Sequence, residues 1–252
     1  MEITILTIFP EMFCSPFSES MIKKAQEKGI IRINLENIRD FANDKHKTVD
    51  DYSYGGGPGM VFKPEPVISA VDKIKQDKAK YHKTKTIITS PQGKIFNQEM
   101  AKKLSVFEHI IFVCGRYEGI DERIFQKLEA EAISIGDYVM TGGEFAVMVM
   151  VDVIIRMIPG VLGKQESMVN DSFYDGLLDY PHYTRPVNYK GYSVPEVLLS
   201  GNHKEIEKWR KKQSIIRTLK RRPDLLKNRK LSQEEIKIIN DYQKEDHSHK
   251  EG

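Results

Sequence analysis

The chain has 252 residues, 40% of them hydrophobic and 30% charged, with a formal charge of +3, which is enough apolar material for one large or two modest domains. Its longest apolar run, Phe145 to Val151, stops at Asp152, well short of a bilayer span, and two cysteines exclude a disulfide framework or a thiol-only zinc site. The opening MEITILTIFPEMF lacks the basic region and cleavage site of a signal peptide, so the expectation is a cytoplasmic protein with no membrane partner.

In chain order, ITILTIF (Ile3 to Phe9) reads as a buried strand, PEMFCSPFSESMIKKAQEKG as a helical stretch closed by Gly29, and IIRINLENI as the next strand. A long polar loop from Arg39 to Met60 follows. Then come a helix from about Pro64, a strand KTIITS, a helix NQEMAKKLS, a strand HIIFVC, a helix IDERIFQKLEA and a strand AISIG. This alternation predicts an α/β fold built on a mainly parallel sheet with helices on both faces. After Glu144 an apolar helix, FAVMVMVDVIIRMIPG, leads into an aperiodic region from Val161 to about Tyr180. The remainder reads as helical: Asn202 with Glu205, and Ser232 with Glu235, have capping-box spacing, and Ile206, Trp209, Ile216 and Leu219 make one apolar stripe. The tail DHSHKEG reads as disordered. The expected organisation is a domain over 1–162, an interdomain linker over 163–178 and a small all-helical basic domain over 179–252.

The charge is concentrated. From His203 to Lys230 twelve Lys or Arg face three carboxylates, which points to a polyanion, most naturally nucleic acid, or else to a solvated helical face.

In open parallel sheets a ligand sits beyond the carboxyl ends of the strands, and three glycine-bearing loops fall there: SPQGK, CGRYEG and GDYVMTGG. Glycine lets backbone polar groups approach a ligand directly. No G-x-G-x-x-G occurs, and Gly163-Lys164 is followed by Gln165 where a P-loop needs Ser or Thr. An adenosine-like molecule without phosphates, such as S-adenosylmethionine, suits what is left, beside other small molecules.

Several motifs in order, IFPEMF, RDFANDKHKTVDDYSYGGGPGM, SPQG, VCGRYEGIDERI, SIGDYVMTGGE, IPGVLG, DSFYDGLLDYPHYTRP and VPEVLLSGNHKEIEKWR, closely resemble the bacterial tRNA (guanine-N1)-methyltransferase family TrmD, of the SPOUT methyltransferase class. The resemblance covers nearly the whole chain. It implies transfer of the S-adenosylmethionine methyl group to N1 of the guanosine at position 37 of tRNA, just 3′ of the anticodon. It further implies a deep trefoil knot in the sheet, which general topology rules would not suggest, a homodimer with the active site at the subunit interface, and a dependence on Mg2+, although no all-oxygen cage is visible in the sequence. The cofactor residues it implies are Ser90 and Pro91; Gly115, Tyr117 and Glu118; Ser134, Ile135, Gly136, Asp137, Tyr138, Val139 and Met140; and Gly142 and Gly143. Two positions depart from the family pattern: Ala146 stands where a proline borders the adenine, and Lys47 where many relatives have Arg.

The catalytic pair implied by the resemblance is Asp171 as general base and Arg156 beside it. Guanine N1 carries a proton, and an ordinary Asp, with a pKa of about 3.9, is too acidic to remove it unaided. A guanidinium meeting the negative charge that develops on O6, with partial desolvation of the carboxylate, closes that gap. The structural alternatives are an Asp152–Arg156 pair one turn apart and Asp171 as a helix cap. His182 is an alternative base by its side-chain chemistry.

Overall fold

The computed structural model describes residues 1–162, 171–227 and 229–248, so most of the expected linker, 163–170, and the last four residues lie outside the described residues. The chain divides into two compact units, Met1–Gln165 and Glu166–Gly252. No helix among the described residues is long and apolar enough to cross a membrane.

The first unit opens with β1 (Glu2–Thr7), a 3₁₀ turn, α1 (Cys14–Phe17), α2 (Ser20–Glu27) and β2 (Arg32–Asn37). The loop expected from Arg39 to Met60 is partly ordered as an antiparallel pair, β3 (Asp50–Tyr52) and β4 (Met60–Phe62). Its anchors are Val49 and Phe62, both fully buried, which outweigh the polar composition of the segment between them. Then follow α3 (Pro64–Asp77), β5 (Thr84–Ile95), α4 (Gln98–Leu104), β6 (His109–Val113), α5 (Glu122–Leu128), β7 (Glu131–Ser134) and α6 (Glu144–Arg156). The helix starts are legible: Pro64 occupies the first turn of α3, and the side chains of Asn97 and Asp121 accept from the backbone N–H groups of Met100 and Arg123 to cap α4 and α5.

The five-stranded sheet has the order β2-β1-β6-β5-β7, with every pairing parallel. Leu6, Ile88, Ile111 and Val113 pack on one face against Val67, Ala70, Val71 and Ile74 of α3 and Ile124 and Leu128 of α5. Strand alternation turns Ile5, Ile87, Ile110 and Phe112 to the other face, where they too are fully buried. The mixed α/β architecture with a parallel sheet is thus as read from the sequence. One strand runs longer than expected: β5 continues through SPQGK to Ile95, and Ile133 of β7 lies opposite both Thr89 and Lys94, so the intervening residues bulge from the sheet edge.

At the amino ends of the strands Glu2 is buried in a polar cluster. It accepts from Lys78 Nζ at 2.6 Å, Tyr81 Oη at 2.6 Å and Asn34 Nδ2 at 2.7 Å. Burial would raise its carboxyl, but these three donors outweigh burial and hold it at about 2 instead of 4.5. His109, fully buried at the start of β6, shares one ring nitrogen with Thr4 Oγ1 at 2.9 Å, and burial holds it below its ordinary 6.5 against the pull of Glu2.

The second unit is not wholly helical. It contains a small hairpin, β8 (Asn188–Tyr189) with β9 (Tyr192–Ser193), before α7 (Glu196–Leu199), α8 (His203–Arg221), α9 (Pro223–Lys227) and α10 (Gln233–Ser248). Both expected caps form: Asn202 accepts from Glu205 N–H at 3.4 Å, and Ser232 and Glu235 bond reciprocally at 2.7 and 3.3 Å. The helix α10 extends into the tail read as disordered. The apolar face of α8 is rotated from the expected stripe: Ile215 and Thr218 are buried, Ile215 in a small core with Leu177 and Leu226, while Ile206, Trp209, Ile216 and Leu219 are half-buried. Residues 171–177 form turns closed by Phe173 N–H to Leu177 C=O at 2.7 Å, so Asp171 has no helix to cap.

The two depressed titrations fix an acid profile. His109 stays neutral in the fold, so its contribution is complete above 6.5 and declines as pH falls below that value. Glu2 adds a second loss as pH falls from 4.5 toward about 2. Thermal melts across this range are expected to show both declines, with the upper one absent in His109→Gln.

Candidate functional site

The carboxyl ends of β5, β6 and β7 meet around Thr89. Its hydroxyl donates to Val113 C=O at 3.3 Å and accepts from Gly115 N–H at 3.0 Å. Gly143, reached only after the chain has left edge strand β7, donates its N–H to Gly115 C=O at 2.8 Å, and Arg116 bridges to Gly142 beside it. A methyl group at Gly143 would overlap Thr89 Oγ1, one at Gly115 would lie 2.5 Å from Thr89 C=O, and one at Gly142 would overlap Glu144 and Arg116. These glycines therefore admit the protein's own chain: Gly115 the Thr89 carbonyl, Gly143 the Thr89 hydroxyl and the Gly115 N–H, and Gly142 the Arg116 and Glu144 side chains. The sequence pointed to a threading chain as well as a ligand at these loops, and at these three positions another stretch of chain lies against the glycine.

Beneath this contact lies an ion pair that the sequence reading did not single out. Glu144, 1% exposed at the start of α6, accepts from Thr7 Oγ1 at 2.8 Å and from Arg116 Nε at 3.2 Å, and the Arg116 guanidinium lies 4.3 Å from the centre of the Phe9 ring. A buried carboxylate is tolerable only when met in this way. The available signal was a lone acid opening an otherwise apolar helix. Burial, with Glu144 nearby, pushes the Cys114 thiol well up, so it stays protonated and inert as a nucleophile.

The other expected cofactor residues lie in the loops that meet at this node, and the remaining expected residues lie elsewhere along the chain. Ser90 and Pro91 open the β5 bulge. Ser134 Oγ donates to Gly136 C=O at 2.9 Å and accepts from Gly136 N–H at 3.2 Å, while Ile135 and Met140 are half-buried and Asp137, Tyr138 and Val139 face solvent. Tyr117 adopts φ of 60° and stands edge-on to Phe62 at 5.3 Å, and Glu118 N–H donates to Met60 C=O at 3.0 Å, which ties this loop to the β3–β4 pair. Ala146 is buried on α6, and Lys47 pairs with Asp40 at 2.6 Å on the surface. Arg156 is the last residue of α6. Asp171 belongs to the other unit, and His182 contacts Asp179 at 2.6 Å. Of the loop cations, Arg116 is met by Glu144, whereas Lys94, 75% exposed, shares Glu131 with Lys85, so the loops offer a ligand Lys94 as well as Glu118 and Asp137.

Gly143→Ala is expected to lose about 2 kcal/mol or more of unfolding free energy in denaturant melts, because overpacking here meets backbone as well as a side chain. Ser90→Ala, at the half-buried start of the bulge, is expected to change stability far less.

A family profile described as "tRNA (Guanine-1)-methyltransferase TrmD" matches residues 1–228. Among curated relatives, each called tRNA (guanine-N(1)-)-methyltransferase, the chain is 58% identical to that of Carboxydothermus hydrogenoformans over 93% of this chain and 91% of the relative. It is 54% identical to that of Desulforamulus reducens over 95% and 94%. With that of Anoxybacillus flavithermus it shares 51% over 97% and 99%. On a profile that spans most of the sequence and relatives more than half identical along nearly all of it, the chain belongs to the tRNA (guanine-1)-methyltransferase TrmD family.

Proposed function

We propose that this protein transfers the methyl group of S-adenosylmethionine to N1 of the guanosine at position 37 of tRNA, in the cytoplasm, as a homodimer. The observation that carries the reading is family membership along nearly the whole chain, joined to a glycine-lined node where three strand-end loops meet. Residues 1–162 form the cofactor domain, 163–178 the linker and 179–252 the tRNA-binding domain in this reading. The knot belongs to it as well: the passage of the chain from β7 back to Gly143, between Thr89 and Gly115, supports a threaded path.

The three loops fit the methyl donor in chemistry. Ser90, Pro91, Gly115, Tyr117, Glu118, Ser134 to Met140, Gly142 and Gly143 would hold it through backbone groups and apolar contacts, and the carboxylates suit a sulfonium. When bound, S-adenosylmethionine supplies an electrophilic methyl carbon. Asp171 would take the N1 proton of guanine and Arg156 would meet the charge that develops on O6, which would leave the N1 lone pair free for the methyl group that S-adenosylmethionine would supply. Mg2+ enters from the family alone. Among the described residues no cluster of three or more His, Cys, Asp or Glu fits a metal ion.

The dimer is supported by α6. Phe145 and Val149, four residues apart on one face, are 54% and 46% exposed in the single chain, an apolar surface that a second copy would cover. In such a dimer the carboxyl-terminal unit of one copy lends Asp171 to the cofactor loops of the other.

Methyl transfer to an unmodified tRNA transcript, with the product base mapped, is expected to place the label at N1 of guanosine 37; label at another base or atom overturns the assignment. Asp171→Ala is expected to lower single-turnover methyl transfer by roughly 10²–10⁴-fold while S-adenosylmethionine still raises the melting temperature. Loss of that thermal shift would reassign Asp171 to cofactor binding.

A further inference from the structure

Between Asp179 and Glu196 the sequence has no carboxylate and carries His182, Arg185 and Lys190. The same stretch leaves unusually large aromatic rings in water: Tyr189 is 60% exposed and Tyr192 82%. These tyrosines are direct cross-strand partners on the β8–β9 hairpin. Exposure here does not come from a loose segment, because the hairpin is held by its own bonds. Asn188 Nδ2 donates to Ser193 Oγ at 2.7 Å, Asn188 Oδ1 accepts from Gly191 N–H at 3.1 Å, and Val194 N–H donates to Val187 C=O at 2.8 Å. Lys190 and Gly191 take positive φ values of 53° and 91°, as a tight hairpin turn requires. The rings are presented by a built support.

Tyr183, Arg185, Pro186, Tyr189, Tyr192 and Val194 line an open cleft of about 460 Å³, a volume within the roughly 300–1,000 Å³ typical of small-molecule sites. Lys190 Nζ lies 5.5 Å from the Tyr189 ring centre. The cleft is continuous with the basic helix: the Tyr183 ring lies 6.3 Å from Trp209 of α8, and the neighbouring Arg210 lies over the Tyr180 ring at 4.9 Å. Flat rings bordered by cations, with no carboxylate in the segment, have the chemistry that stacks bases and meets phosphates. A surface made for an apolar protein partner would offer aliphatic side chains in place of Thr184, Asn188 and Ser193.

We propose that the β8–β9 hairpin is a stacking site for an unpaired nucleotide of the RNA substrate, with Tyr189 and Tyr192 receiving the base and Arg185 and Lys190 the flanking phosphates. This rests on the reading of the substrate as tRNA and names a binding surface outside the cofactor loops.

The test measures the affinity of the full-length protein for a labelled tRNA transcript as a function of salt, together with its melting temperature, S-adenosylmethionine affinity and mass in solution. Tyr189→Ala/Tyr192→Ala is expected to weaken tRNA binding about tenfold, with the slope of affinity against salt, the cofactor affinity and the mass unchanged. Tyr189→Phe/Tyr192→Phe is expected to restore binding, since the ring face is kept. Arg185→Ala and Lys190→Ala should each reduce the salt slope by about one. Unchanged tRNA affinity in the double alanine variant overturns the proposal, as does equal weakening by phenylalanine. A fall in mass to the monomer also overturns it and gives the face to a second copy of the chain. Because binding is read directly, the result stands apart from the methylation assay: a wild-type protein that binds the transcript but methylates no guanosine refutes the activity and leaves the comparison of variants intact.

Discussion

Thr89, Gly115 and Gly143 come from three separate passes of the chain, and the distance at which those passes meet governs the carboxyl end of the sheet. One hydroxyl serves both as donor to Val113 and as acceptor from Gly115, and the Gly143 N–H closes on Gly115 from the other side. Side chains at these glycines would push the passes apart by the width of a methyl group. Interiors at organic-crystal density do not absorb such a change locally, so the shape of all three loops is tied to the absence of side chains at a few positions.

Electrostatics reinforces that geometry at both ends of β1. At the amino end Glu2 gathers Lys78, Tyr81 and Asn34; near the carboxyl end Thr7 donates to Glu144, which also holds Arg116. Each carboxylate draws in groups that are distant in sequence, and a buried carboxylate left without its donors would cost several kcal/mol. Strand β1 is thereby fixed at two points along its length, which leaves the loops beyond its carboxyl end a rigid base.

Much of this was legible in the residues. The alternation of apolar runs with amphipathic ones gave the parallel sheet, and the caps at Asn202 and Ser232 formed as their spacing implied. Local signals failed where distant partners decide. The β3–β4 pair escaped notice because its polar, glycine-rich segment is ordered by two buried residues, Val49 and Phe62, at its ends. The buried face of α8 centres on Ile215 because Leu177 and Leu226 lie against it, which periodicity alone does not specify. At the site, glycine content marked the crowded loops, where the chain itself supplies the close neighbours of Gly115, Gly142 and Gly143. Arg116 and Glu144 looked like ordinary charged residues because their pairing joins segments 28 positions apart.

The pairing of β1 also bears on how the protein is made. During synthesis this apolar strand gains β2 on one side some thirty residues after it emerges, and must wait for β6, more than a hundred residues on, to cover the other. At bacterial synthesis rates that interval is on the order of ten seconds. For that time an edge of Ile, Leu and Thr stands open beside other nascent chains, a surface for the translation machinery or its attendant chaperones to shield.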